Sequence, residues 1–448
     1  MGDLNQLTII EAAHLIRAKK VTVTELVTAC LTRIKEVDDQ IQAFCFVDEK
    51  AALEQARKRD EELKKGKIRG ILHGIPVAIK DIYDVKGVPT RAGSHLLEKS
   101  APAENDSSVV AKLREAGAVI LGKTHTTAFA YYDPAPTRNP YKLDHTPGGS
   151  SSGSAAAIAS DMAFLTIGSQ TNASICRPGA YSGVWSFKPT YKFLPMKGVM
   201  PLAPTFDTPG FFGRNVFDLI AGYSAFNEEL NFMEDDLYVN MVLKGITKAP
   251  LSVGVLTDPL YLEASDEVRA ALNDSIERIE AFGYRVETVS SPLPLATLIQ
   301  PHHTIMAHEA ANAYKDIASN QQFSGKFAEL ILEGEKIGQE QYEEAHKKIT
   351  EAKEAMLDIF QRFDYLLTLP TDSAAPEIET TGQPKFTTPW TVLGGPLVVI
   401  PVGLDKEGLP LAIMLAAAPG KDLELLQNSI SLERILGILP KPKGSHLF

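Results

Sequence analysis

The chain reads as a layered α/β fold, on three observations. Helical and strand-like apolar patterns alternate along most of it, paired helix-start signals occupy its first part, and its last part returns to short core-strand runs. Within residues 8–64, Thr8 with Glu11 and Thr22 with Glu25 have capping-box spacing ahead of apolar-periodic segments, so this stretch is expected to be helical. Residues 71–79 form an apolar run around Gly74-Ile75-Pro76 that suits a buried strand; 109–116 have helical character and 118–121 strand character. The segment 139–190 concentrates Gly, Ser, Ala and Pro, and its alanine-rich part, 154–163, is expected to be a tightly packed helix. From 211 to 350 helical segments alternate with a strand at 252–256, and 328–363 reads as one long, charged amphipathic helix. Strands at 365–369, 396–402 and 411–415 and a helix at 423–436 close the chain.

The 448 residues are 44% hydrophobic and 23% charged, an ordinary globular composition. With no repeat and no disordered linker, one domain over 1–448 is expected: helices to about 65, a core at about 70–215, a variable segment at about 215–360, and a core return at about 361–440. A net charge of -11 argues against nucleic acid as a partner, because phosphate binding favours a basic surface. Cys30, Cys45 and Cys176 make neither a disulfide framework nor a metal spacing, which fits a reducing cytoplasm. The first ten residues lack a basic start before an apolar core, and no run approaches the ~20 apolar residues that span a bilayer, so neither a secretion signal nor a membrane partner is expected.

Two polar segments point to chemistry. Pro147-Gly148-Gly149-Ser150-Ser151-Ser152-Gly153-Ser154 flows into an apolar helix, which a flexible linker does not usually do, and it lacks the Gly-x-x-x-x-Gly-Lys-Ser/Thr spacing of a phosphate loop. The remaining reading is close backbone packing with hydroxyls facing a site. Gly168-Ser169-Gln170-Thr171-Asn172-Ala173-Ser174 reads as a polar loop ending in a serine beside which N–H groups could converge, as an oxyanion requires. A serine nucleophile needs a base, and none of the ten histidines sits in a Gly-x-Ser-x-Gly elbow. Lys80 ends the apolar run 75–79, where desolvation would leave it neutral and basic. On chemistry alone, the plainer reading of Lys80 as snorkelling or pairing with Asp81 is favoured.

Together with His73-Gly74-Ile75-Pro76, Lys80-Asp81, Gly122-Lys123-Thr124, Asn139-Pro140, Lys188-Pro189-Thr190, Leu369-Pro370-Thr371 and Gly408-Leu409-Pro410, these segments resemble the amidase signature family. The resemblance covers nearly the whole chain and is weakest over about 215–360. It implies a central mixed β-sheet covered by helices on both faces. It also implies a triad: Ser174 as nucleophile, Ser150 as a bridging serine after a cis peptide bond, and Lys80 as base. The N–H groups of Thr171, Asn172, Ala173 and Ser174 would form the oxyanion hole, with Ser151, Gln170 and Arg177 in support. Phe129, Ala130 and Tyr131 would line the acyl side; plain core packing is the alternative for these three. No cofactor and no metal are implied.

The chain departs from the family where many members carry Asp-Thr-Gly-Gly-Ser-Ile-Arg and it carries Gln170-Thr171-Asn172-Ala173-Ser174-Ile175-Cys176, although a branch with Gln and a later Arg-Pro matches Gln170 and Arg177-Pro178. If the loop needs positive φ at 172 and 173, Asn is strained little and Ala more. Aromatic character around Phe129, Tyr131, Tyr132, Phe206, Phe211 and Phe212 suggests a hydrophobic or aryl amide, with esters and carbamates as further substrates. The expected protein is a free-standing cytoplasmic amidohydrolase, monomeric or homodimeric, acting on a small-molecule amide. The alternatives are the amidase subunit of a tRNA-dependent amidotransferase and a silent binding relative.

Overall fold

The computed structural model describes residues 3–227, 230, 251–320, 323–437 and 439–442. Part of the expected variable segment, 231–250, therefore lies outside the described residues. Helices α1 (Ile9–Arg17) and α2 (Val23–Ile41) begin where the sequence signals place them: Thr8 accepts from Glu11 N and Thr22 from Glu25 N, each glutamate returning the bond. The expectation that residues 8–64 hold helices alone is corrected at one place. Gln42 turns left-handed (φ 58°) and ends α2, and strand β1 (Phe44–Val47) precedes α3 (Glu49–Lys64). Four residues carry too little pattern to announce a strand; β1 exists because it pairs antiparallel with β3 (Val119–Thr124).

The strand expected at 71–79 is shorter and later, β2 (Pro76–Lys80), because Gly70 and Gly74 take positive φ and turn the chain before it. Helix α4 (Ser108–Glu115) leads into β3, and α5 (Ser152–Ala159) into β4 (Leu165–Gln170). Strand β4 thus continues through Gly168, Ser169 and Gln170, which sequence alone assigns to a loop. Pairing on both edges holds it: parallel to β2, Ile79 opposite Ile167, and antiparallel to β6 (Thr208–Gly213), Gln170 opposite Thr208. Between them in the chain lie α6 (Cys176–Tyr181) and β5 (Trp185–Lys188), and α7 (Val216–Ser224) follows β6.

Beyond the gap come β7 (Ser252–Thr257), α8 (Asp266–Ala281), β8 (Arg285–Ser290), α9 (Ile299–Ala313) and α10 (Lys315–Asn320). The single long helix expected at 328–363 is three: α11 (Gly325–Gly334), α12 (Gln339–Ala355) and α13 (Leu357–Arg362). The first break falls where Gly334 meets α9 so closely that a Cβ there would lie 2.0 Å from the Ala307 carbonyl oxygen, and Gly338 starts the next helix. The chain closes with β9 (Tyr365–Thr368), α14 (Thr388–Leu393), β10 (Leu397–Leu404), β11 (Pro410–Ala416) and α15 (Asp422–Leu436).

The eleven strands among the described residues make one mixed sheet in the order β1-β3-β2-β4-β6-β5-β10-β11-β9-β7-β8. Both faces are covered. Along β10 and β11, Val398, Ile400, Ile413 and Leu415 enter one apolar cluster while Leu397, Val399, Met414 and Ala416 enter another, the alternation of a strand buried on both sides.

Candidate active site

Strands β2 and β4 are parallel neighbours, so their carboxyl ends reach the same edge of the sheet and bring Lys80 beside Ser169. Lys80 is fully buried, and its Nζ lies 2.7 Å from Ser150 Oγ and 2.9 Å from Ser169 Oγ. The favoured plain reading of Lys80 is overturned: Asp81 pairs instead with Lys123, at 2.5 Å, and Lys80 has no ion-pair partner among the described residues. Burial pulls the Lys80 pKa well below its ordinary value, opposed only by the charge of Asp207.

Ser150 follows a cis peptide bond from Gly149, and its backbone is held on both sides. Thr127 N–H donates to the Ser150 carbonyl, while the buried Arg177 guanidinium donates to the Gly149 carbonyl at 2.8 Å, to the Gly382 carbonyl at 2.6 Å and to Thr381 Oγ1 at 3.2 Å. Ser151 Oγ accepts from Ser169 N–H and donates to the Ser169 carbonyl, both at 3.2 Å, tying the serine-rich turn to the end of β4. Small residues are required here for space: a Cβ on Gly153 would lie 2.1 Å from the Ala43 carbonyl oxygen.

The segment 171–174 leads from β4 to α6. Gln170 Oε1 accepts from the N–H groups of Ile175 and Cys176, at 2.8 and 3.0 Å, and its Nε2 donates to Thr391 Oγ1 at 2.9 Å. An aspartate could make the first two bonds but not the third. Thr171 Oγ1 donates to Asp207, whose other carboxylate oxygen accepts from Leu202 and Ala203 N–H; burial raises the Asp207 pKa against these bonds. Asn172 Nδ2 donates to the Tyr132 hydroxyl at 3.1 Å and its Oδ1 accepts from Thr388. Neither Asn172 nor Ala173 takes positive φ, so the glycine-to-Asn and glycine-to-Ala departures bring no backbone strain. Ser174 is 6% exposed, and its hydroxyl and the N–H groups of Asn172, Ala173 and Ser174 donate to no atom among the described residues. Cys176, one step into α6, is a buried thiol whose pKa burial pushes up to about 12.

Phe129 and Ala130 both take left-handed backbone (φ 51° and 59°), held by Phe129 N–H on the Ala92 carbonyl and Thr127 Oγ1 on the Tyr131 carbonyl. Phe129 turns its ring into an aromatic cluster, stacked on Phe327 at 4.5 Å and edge-on to Tyr314 and Phe323. Tyr131 is half-buried and meets Tyr132 edge-on. Phe206, Phe211 and Phe212 are closed off in the core: Phe206 lies against His302, and Phe211 stacks on Phe187. Sequence reasoning missed Ser169, Asp207, His302, Thr388 and Thr391. Only Ser169 stood in a segment already singled out; the others sit in stretches with no pattern of their own.

A buried lysine with no ion-pair partner among the described residues thus meets two serine hydroxyls at the carboxyl ends of β2 and β4, and three N–H groups of the segment that follows β4 donate to no atom among those residues; the comparisons name the class of protein. The chain belongs to the amidase family, whose model (Amidase) matches residues 25–426. It is similar to a glutamyl-tRNA(Gln) amidotransferase subunit of Cutibacterium acnes, 30% identical over 97% of this chain and 96% of that protein. The corresponding protein of Syntrophus aciditrophicus is 32% identical over 96% and 98%. Among solved structures it resembles a protein from a vestigial complex that reveals the origins of an s-triazine catabolic enzyme, with TM-score 0.88 and 26% identity over 97% and 100% of the chains. It also resembles the peptide amidase of Stenotrophomonas maltophilia, with TM-score 0.84 and 25% identity over 98% of each chain. The family and fold read from the motifs are therefore correct: this is an amidase-signature enzyme acting on carbon–nitrogen bonds. No helix among the described residues is long and apolar enough to cross a membrane, and no group of three or more metal-ligand side chains occurs among them.

Proposed function

We propose that Lys80, Ser150 and Ser174 form the proton relay of an amide hydrolase working through an acyl-enzyme. The observation that supports this reading most is the 2.7 Å contact of a desolvated, unpaired Lys80 with Ser150. Neutral Lys80 takes the Ser150 proton as Ser150 takes that of Ser174; Ser174 Oγ attacks the carbonyl carbon, and the N–H groups of residues 171–174 hold the oxyanion. The relay returns a proton to the leaving nitrogen as the C–N bond breaks, and water then cleaves the acyl-enzyme. The relay requires a Ser150–Ser174 hydrogen bond in the substrate complex, where catalytic contacts commonly tighten.

Two substrate readings follow. The likeness to glutamyl-tRNA(Gln) amidotransferase subunits over almost the full length supports a primary amide such as glutamine as substrate, with ammonia passed to a partner protein. The aromatic surroundings of Phe129 and Tyr131 support a free-standing cytoplasmic hydrolase, monomeric or homodimeric, of apolar or aryl amides, esters and carbamates. The comparisons weigh towards the first. One panel separates them: glutamine, a p-nitroanilide, an aryl carbamate and a p-nitrophenyl ester, with wild type and Ser174→Ala. Turnover abolished by Ser174→Ala is expected, and which substrate is turned over distinguishes the readings. Turnover that survives Ser174→Ala overturns the relay.

A further inference from the structure

Two consecutive carbonyls of the loop before Ser174 are gripped from outside. The Thr171 carbonyl accepts from His302 Nε2, at 2.8 Å, on α9 of the variable segment. The Asn172 carbonyl accepts from Thr391 Oγ1, at 2.5 Å, on α14. A carbonyl only accepts, so Nε2 carries the His302 proton; the ring is buried, and burial pushes its pKa down to about 4, which keeps it a neutral Nε2–H donor. Thr391 has one hydroxyl proton, and its direction is also determined. Gln170 must present Oε1 to the Ile175 and Cys176 N–H groups, so its Nε2 faces Thr391 and donates to it, leaving the Thr391 proton for Asn172.

In a trans peptide the C=O of one residue and the N–H of the next point in opposite directions. Holding the Thr171 carbonyl towards His302 therefore aims the Asn172 N–H the other way, and holding the Asn172 carbonyl towards Thr391 does the same for the Ala173 N–H. Both N–H groups donate to nothing among the described residues. Two further contacts tie α9 to the same region: Glu309 accepts from Thr205, and the Tyr314 hydroxyl just beyond its end donates to the Pro201 carbonyl.

We infer that His302 and the Gln170–Thr391 pair are positioning residues that set the oxyanion hole by pinning the carbonyls on its outer side. This rests on the proposed relay with Ser174 as nucleophile. It also accounts for Gln170, since only an amide can both accept from α6 and donate to Thr391. The variable segment thereby reaches the reacting centre through α9.

The test needs no knowledge of the substrate: labelling of Ser174 by a fluorophosphonate, whose phosphonyl oxygen must use the same donors, resolved into kinact and KI. Thr391→Val and His302→Phe are each expected to lower kinact about tenfold or more, within the range for a disturbed oxyanion donor, while KI stays within about twofold. Thr391→Ser and His302→Gln, which restore a donor, should recover kinact to within about threefold of wild type. Gln170→Glu should lower kinact like Thr391→Val, because the Thr391 proton would turn to the carboxylate. Unchanged kinact in folded Thr391→Val and His302→Phe overturns the inference, as does a loss that Ser and Gln fail to recover. If His302→Phe does not fold, Thr391→Val decides on the adjoining carbonyl. Wild type labelled elsewhere than Ser174 overturns the relay itself, a separate result.

Discussion

Replacing Lys80 by Met should abolish turnover and change the pH dependence of stability in a direction set by burial. Met has a similar length, so the site is not emptied, but the base is gone; loss of general-base catalysis costs about 10²–10⁴-fold in rate. The stability effect follows from linkage. Lys80 is fully buried with no ion-paired carboxylate among the described residues, and its pKa in the folded protein is well below the ordinary value. Between that value and an unfolded pKa of about 10.4, the unfolded chain binds one more proton than the folded one. Wild-type stability from this group is therefore complete above about pH 10.4 and falls away as pH drops towards the folded pKa, by up to about 1.4 kcal/mol per pH unit. Met carries no such dependence. Against it, Ser150 and Ser169 lose their shared donor, at about 1 kcal/mol each. The stability of wild type relative to Lys80→Met should thus climb with pH over the alkaline range, other groups cancelling between the two proteins. Denaturant unfolding at steps from pH 6 to 10, beside turnover of the substrate panel, measures both effects. Turnover within tenfold of wild type, or a stability difference flat from pH 7 to 10, refutes the reasoning.

Arg177→Lys should lower stability by about 3 kcal/mol and slow Ser174 labelling, because an ammonium cannot span the Gly149 and Gly382 carbonyls and Thr381 as the planar fork does. A thermal scan with the labelling rate tests this, and an unchanged Tm counts against it. Gly153→Ala should cost about 1–3 kcal/mol or prevent folding, since the new methyl would meet the Ala43 oxygen at 2.1 Å and the His125 nitrogen at 2.6 Å, both backbone atoms unable to swing aside. Soluble yield and Tm measure it, and a normal Tm would mean the packing there is looser than these distances.

Legibility in the sequence followed the range of the forces involved. The capping boxes at Thr8 and Thr22 were readable because donor and acceptor lie three residues apart. Strand β1 was not, because its bonds go to β3 some eighty residues on, and the polar end of β4 looked like a loop because its pairing partners on β6 lie some forty residues on. The break at Gly334 was hidden for the same reason: the pattern continues through it, and only contact with Ala307 explains it.

By itself the sequence determined the family and the layered α/β character, and it singled out Lys80, the serine-rich turn and Ser174 as site candidates, since they sit in local motifs whose order and separation are visible along the chain. The tertiary structure decided how Lys80 and the serine-rich turn meet. Whether Lys80 pairs with Asp81 or faces Ser150 depends on Lys123 taking Asp81, and whether Asn172 and Ala173 distort their loop depends on φ values no composition reveals. The hold of His302 and Thr391 on that loop joins residues more than one hundred and two hundred positions away. Hydrogen bonds of that span leave no periodicity or spacing in a single sequence, because their geometry is created by the packing of whole elements.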